Sequence, residues 1–203
     1  LGVKPDLVIG VQGPGLEDFA ARLDARGIAT FFPPTQSLTE IGAMLVGLAR
    51  LLGDEQRGLA QRTILENERA AIARALAGRH RPRALFVFGL RPVVAAGPGS
   101  FPDEMLRLAG ADNVVSGEKH RFPTLGIERV LSLDPEVVID ATGGVAREGI
   151  SISKDLPGWS EVRAVKEGRL VVVSDDRVLR PGPRVGQGVA VLVRALHPGV
   201  VVP

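Results

Sequence analysis

The chain has 203 residues, 45% of them hydrophobic, and its 25 basic and 23 acidic side chains leave a net charge of +2. That length is enough for one large or two small domains with a real core. Scattered basic residues with only 4% aromatics argue against a nucleic-acid partner, the absence of cysteine removes disulfides and thiolate metal sites, and no apolar run reaches the ~18 residues of a membrane span.

In chain order, a short strand is expected near Asp6–Val11, a helix near Leu16–Arg26, a strand near Ala29–Phe32 and a helix near Leu38–Leu52. From Asp54 to Gly78 there is no proline. That stretch reads as one helix, nearly 40 Å long at about 1.5 Å per residue. Its apolar stripe is Leu59, Ile64, Leu65, Ile72 and Leu76. A rigid helix of this length between two lobes keeps them at a nearly fixed distance and leaves a cleft between them.

Beyond it, Ala84–Phe88 is a strand, Phe101–Ala109 a helix closed by Gly110, Asn113–Val115 a strand and Ile127–Leu133 a helix. Lys4-Pro5-Asp6-Leu7-Val8-Ile9-Gly10 parallels Asp134-Pro135-Glu136-Val137-Val138-Ile139-Asp140, each a loop opening into a buried strand. A loop through Gly143 and Gly144 and an irregular stretch to Trp159 lead to a strand at Leu170–Val173. Pro181-Gly182-Pro183 then opens a helix over Arg184–Leu196, which stops at His197-Pro198.

The repeated strand has 51 residues before it in the second half, Ala84 to Asp134, and almost none in the first. The expectation is an α/β fold of two Rossmann-like lobes joined by a long rigid helix, the first lobe incomplete at its N-terminus. The divisions are a partial N-terminal lobe over residues 1–53, a linking helix over 54–79 and a C-terminal lobe over 80–203. On that expectation the lack of a leader at Leu1 carries no weight. An unpaired sheet edge on the first lobe would favour self-association, which sedimentation at high concentration would reveal.

Strands alternating with helices imply a mainly parallel sheet whose ligands bind at the carboxyl ends of strands. This selects the loops Val93–Ser100, His120–Thr124, Ala141–Gly144 and Asp175–Arg180. Gly97-Pro98-Gly99-Ser100-Phe101-Pro102 begins like a dinucleotide fingerprint but has proline at its sixth position. Its free N–H groups suit an anionic or carbonyl group, and a tight turn capped by Ser100 fits equally well. His80 and His197 sit at helix ends, where a cation complements the dipole. His120 lies in a cleft loop as a ligand contact or a solvated residue. Asp175-Asp176 has no visible acid–base partner, and no phosphate loop, nucleophile elbow or His-Glu-x-x-His is present. Nothing in the sequence calls for an enzyme.

These features resemble the helical-backbone (class III) periplasmic substrate-binding proteins of ABC importers, of cobalamin or ferric-siderophore type. The likeness rests on Lys4-Pro5-Asp6-Leu7-Val8-Ile9, the block from Ala96 to Val114, Gly168–Val173 and Arg180-Pro181-Gly182-Pro183-Arg184 around a long helix. It implies a periplasmic or lipid-anchored protein that captures cobalamin, a ferric siderophore or haem and docks onto the importer's transmembrane subunits. The metal is held by the chelate, so neither a cofactor nor a protein metal site is expected.

By the same resemblance Glu17 and Glu128 match the docking glutamates that face permease arginines, one on each lobe. A carboxylate in a first helical turn is also favoured locally by the dipole. Phe122 matches an aromatic that packs on the ligand, and Asp176 and Arg180 match polar ligand contacts. Gly97 and Gly99 complete the expected ligand-binding set. A core role for Phe122 and an Asp176–Arg180 pair that only braces its loop stay open. The chain departs from the cobalamin binder at Val11 and Val94, where that type has aromatics, and has no tyrosine to ligate haem iron. An enzyme with nitrogenase-component architecture would need cysteine cluster ligands. A ligand-free interaction module with the same fold is the remaining alternative.

Overall fold

The computed structural model describes residues 3–13, 15–145 and 151–203. Strand β1 (Leu7–Ile9) pairs in parallel with β2 (Ala29–Phe31), Leu7 opposite Ala29 and Ile9 opposite Phe31. Helix α1 (Leu16–Asp24) makes the crossover between them. These two strands form a sheet of their own among the described residues.

Helix α2 (Leu38–Leu51) starts at a capping box, in which the Ser37 side chain accepts from Glu40 N–H and the Glu40 carboxylate accepts from Ser37 N–H. A turn leads to α3 (Glu55–Ala75), which is unbroken over 21 residues and capped by Asp54. Its buried positions are Gly58, Leu65 and Ile72, seven apart, so they fall on one face. Ile64, expected on the buried stripe, is instead 46% exposed. The true stripe runs through a glycine, which a count of apolar side chains passes over.

At Gly58 the backbones of α2 and α3 approach closely. A Cβ there would lie 2.7 Å from Val46 Cα and 2.9 Å from Leu45 O, both backbone atoms. Further along α3, a Cβ on Gly186 would lie 1.8 Å from a Glu68 carboxylate oxygen. That burial raises the Glu68 pKa. The long helix is therefore held by a neighbour on each side, α2 at its start and the C-terminal helix α9 (Val185–Leu196) toward its end.

The second sheet is built on β3 (Arg83–Leu90). It pairs in parallel with β7 (Val137–Asp140), which pairs in parallel with β8 (Leu170–Val172). On its other side, β4 (Val93–Ala95) returns antiparallel along the end of β3 and takes on β6 (Thr124–Leu125), while β5 (Asp112–Asn113) pairs with the start of β3. The parallel centre was expected. The antiparallel edge was not, because β4 lies inside, and β6 begins at the end of, segments read as cleft loops.

Alternation along β3 sends Ala84 and Phe86 to one face and Leu85 and Val87 to the other, and all four are fully buried. The first face is covered by α4 (Phe101–Leu108) and α9, together with Leu38 and Ile41 of α2 and Leu65 and Ile72 of α3. The second is covered by α5 (Ile127–Leu133), Trp159 of a short 3₁₀ turn and α7 (Arg163–Lys166). Thr142–Val145 forms the one-turn helix α6, where a glycine loop was expected. The irregular stretch expected beyond Gly144 lies partly, at residues 146–150, outside the described residues. Asp140 at the end of β7 is fully buried, accepting from Thr142 N–H, Thr142 Oγ1 and Ile152 N–H.

His197 does not act as a cation at a helix end. It is buried, its Nε2–H donates to Ala109 O at 3.0 Å, and burial holds its imidazole below the usual histidine pKa. It is a neutral tie between the ends of α9 and α4. His80 is exposed and lies 3.4 Å from the Glu136 carboxylate.

Two glycines of the α2–α3 contact should respond oppositely to a methyl group. Gly58→Ala gains about 1 kcal/mol of helix propensity but meets backbone, an overpacking that costs about 1–3 kcal/mol, so its urea midpoint should fall. A Cβ on Gly42 meets only Arg62 Cγ, at 3.0 Å in a flexible side chain, so Gly42→Ala should be neutral or stabilising. A Gly58→Ala protein at least as stable as the parent would contradict the packing.

Candidate functional site

A cavity of about 420 Å³ lies between the two sheets. The first segment contributes Val11 and Gln12, beyond β1, and Thr35 and Gln36, before α2. The second contributes Phe88 of β3, Phe101 and Pro102 at the start of α4, Phe122, and Leu179 and Pro181 around the turn into α9. It therefore sits at the carboxyl ends of β1, β2 and β3, as α/β sheets require. Its described walls are mainly apolar and aromatic, with the Gln12 and Gln36 amides and the Thr35 hydroxyl as the polar groups set among them.

Phe122 is placed by backbone bonds. Ala95 N–H donates to Pro123 O at 3.0 Å and Gly97 N–H to Arg121 O at 2.7 Å, which zips the loop 121–123 along the end of β4. A Cβ on Gly97 would lie 2.2 Å from His120 O and 2.7 Å from Pro123 Cδ, so only glycine lets the loop come this close. Phe122 is left 52% exposed, edge-on to Phe88 at 6.0 Å, and Phe88 stacks on buried Phe86 at 4.9 Å. An aromatic row thus runs from the core to the cavity wall. Phe122 is not a core residue.

The expectation that Gly97 and Gly99 offer free N–H groups is corrected. Gly97 N–H is taken by Arg121 O, and Gly99 N–H donates to Asp103 Oδ2 at 3.0 Å. The segment is the capped turn that was its alternative: Ser100 Oγ accepts from Asp103 N–H and donates to Gly97 O. Asn113 braces it by donating to Ala96 O and Asp103 Oδ1.

Asp176 and Arg180 pair with each other at 2.8 Å across α8 (Asp176–Leu179), with side chains 60% and 75% exposed. Such an exposed pair contributes little stability. Neither side chain lines the cavity, although Leu179 and Pro181 on either side of Arg180 do. The neighbouring Asp175 caps α8, and its hydrogen bonds from the Arg177 side chain and backbone bring its pKa down to about 2. Val11 lines the cavity, Val94 does not, and His120 is exposed.

Glu17 and Glu128 each occupy the first turn of a helix, α1 and α5, and both are exposed. No hydrogen bond or ion pair joins either carboxylate to another side chain among the described residues.

Sequence reading missed the amides. Gln36 Oε1 accepts from Phe101 N–H at 3.0 Å, although 65 positions separate them. Gln12 Nε2 donates to Phe32 O at 3.2 Å. The one available signal was the Ser37 capping box, which fixes the backbone on which Gln36 stands; Gln36 N–H itself donates to Glu40 Oε2 at 2.7 Å.

Residues 1–176 match the family described as Periplasmic binding protein. The vitamin B12-binding protein of Salmonella typhimurium is 26% identical over 185 residues, which are 91% of this chain and 66% of the relative. The chain thus spans just under two thirds of that relative's length. Among solved structures, the periplasmic heme-binding protein RhuT of Roseiflexus sp. RS-1, in apo form, superposes with a TM-score of 0.81 at 27% identity, over 97% of this chain and 77% of that one. The periplasmic vitamin B12-binding protein BtuF of Vibrio cholerae gives 0.80 at 21% identity, over 96% and 75%, a likeness of fold alone.

Proposed function

The chain belongs to the periplasmic binding protein family, and on that premise we propose that it is the substrate-binding component of an ABC importer. It captures cobalamin or a related metal chelate in the 420 Å³ cavity between its sheets and delivers it to the permease, from the periplasm or a lipid anchor at the cell surface. The observation that carries this reading is the position of that cavity. It lies at strand carboxyl ends, is edged by Phe88, Phe101 and Phe122, and has no charged side chain in its lining among the described residues. A mainly apolar wall with a few polar groups is what a large, flat ligand needs. No bond is made or broken, because binding and release suffice. Haem or a ferric siderophore is the second reading, supported by the 27% identity to RhuT, a heme-binding protein.

The three lobe divisions, residues 1–53, 54–79 and 80–203, belong to this proposal. They make α3 the element that limits how far the cleft closes. Glu17 and Glu128 are the docking carboxylates, one on each part, meeting basic side chains of the transmembrane subunits. Exposed and unpaired, they would act chiefly through charge complementarity.

Calorimetry of this protein against cyanocobalamin, haemin and a panel of ferric siderophores tests the reading. Saturable one-to-one binding of at least one is expected, and binding of none would overturn it. For docking, Glu17→Lys combined with Glu128→Lys should abolish stimulation of the permease ATPase while leaving ligand affinity as in the parent. A drop in affinity would mean that these carboxylates belong to the ligand site.

A further inference from the structure

We infer that Gln36 and Gln12 select a neutral ligand bearing carboxamides at its rim over one bearing carboxylates. The inference rests on the chelate-binding reading and deepens it. Its basis is the orientation of the two amides, which their partners dictate. A backbone N–H can only donate, so the group that meets Phe101 N–H must be Gln36 oxygen. That leaves the two Nε2 protons of Gln36 for whatever enters the cavity. A carbonyl can only accept, so the group that meets Phe32 O must be Gln12 nitrogen. That leaves Gln12 Oε1 as an acceptor. Neither remaining group has a hydrogen-bond partner among the described residues.

The described lining therefore offers the two Gln36 Nε2 protons as donors and Gln12 Oε1 as an acceptor, with the Thr35 hydroxyl beside them, among mainly apolar walls. A ligand rim of carboxamides, each carrying a carbonyl oxygen and N–H groups, has a partner for both kinds of group. A carboxylate only accepts; it can use the amide protons but leaves Gln12 Oε1 without a donor from the ligand. Among the described residues no guanidinium or ammonium lines the cavity to offset a ligand's negative charge: of the two arginines next in sequence to lining residues, Arg180 is paired with Asp176 and Arg121 is exposed outside the lining. The Gln36 orientation is also hard to reverse. The Gln36 backbone is held by Glu40, and turning its amide would set N–H against N–H at Phe101.

Cyanocobalamin, with carboxamides around its corrin, and haemin, with two carboxylates, are the probes. Titrated separately into the full chain at one pH and salt concentration, cyanocobalamin should bind at least tenfold more tightly. Gln36→Glu keeps an oxygen on Phe101 N–H, so folding is preserved, but removes the donor. It should weaken cyanocobalamin binding about tenfold, the effect of leaving a buried polar group unpaired. Gln12→Met, at an exposed position, should weaken it by a smaller factor. Haemin binding as tightly as cyanocobalamin, or both variants binding cyanocobalamin like the parent, would overturn the carboxamide inference and leave the chelate reading standing. Binding of neither probe and of no ferric siderophore would overturn the chelate reading itself.

Discussion

The contact on which the rest depends is the backbone approach of α2 to α3 at Gly58. Helices joined by a short turn can lie side by side only where side chains permit, and here a hydrogen on Gly58 Cα replaces a side chain against Val46 and Leu45. Leu65 and Ile72 continue the same face of α3 into the layer that covers the six-stranded sheet. Gly186 then allows α9 to close on Glu68. Stiffness in this helix thus has two sources, its own unbroken hydrogen bonds and two neighbours packed closer than side chains would allow. The small first sheet, tied to α2 through Phe31 packing on Gly47, is carried in a fixed position relative to the large one.

That position creates the site. The loop before α2 is pinned at its base by the capping box and at its tip by Gln36 reaching Phe101. The opposite wall is a hairpin edge to which the Phe122 loop is zipped. Both walls are set by hydrogen bonds to backbone, so the aromatic row and the Gln36 amide are held in place by the fold itself; on the proposed function, that pre-organisation would lower the cost of binding.

What the sequence revealed and what it hid follow from the physics of each signal. The long helix was legible because a proline-free run with Asp54 before it has few other solutions. The parallel strands were legible as short β-branched runs behind acidic turns. The rule for carboxyl ends of strands selected four loops; His120–Thr124 and Asp175–Arg180 supply Phe122 and Leu179 to the cavity, whereas Val93–Ser100 and the described part of Ala141–Gly144 supply nothing to it. The antiparallel edge was hidden, since Val93-Val94-Ala95 reads as loop until β3 is present to pair with it. The Ile64 error arose because a glycine holds a place on the buried face. The N–H groups of Gly97 and Gly99 looked free because their acceptors, Arg121 O and Asp103 Oδ2, are settled by tertiary geometry. His197 looked like a helix-end cation because burial leaves no local mark in the sequence. The polar reach of Gln12 and Gln36 had no sequence signature beyond one capping box.

Hydrogen exchange along residues 55–75 tests the central claim most directly, because exchange separates a helix locked by its neighbours from one that frays. The amides from Arg62 to Ile72 should exchange as one cooperative block, in the slow class with those of β3 and β7. A fast-exchanging break within that span, with β3 and β7 still protected, would contradict a clamped helix and the fixed cleft built on it.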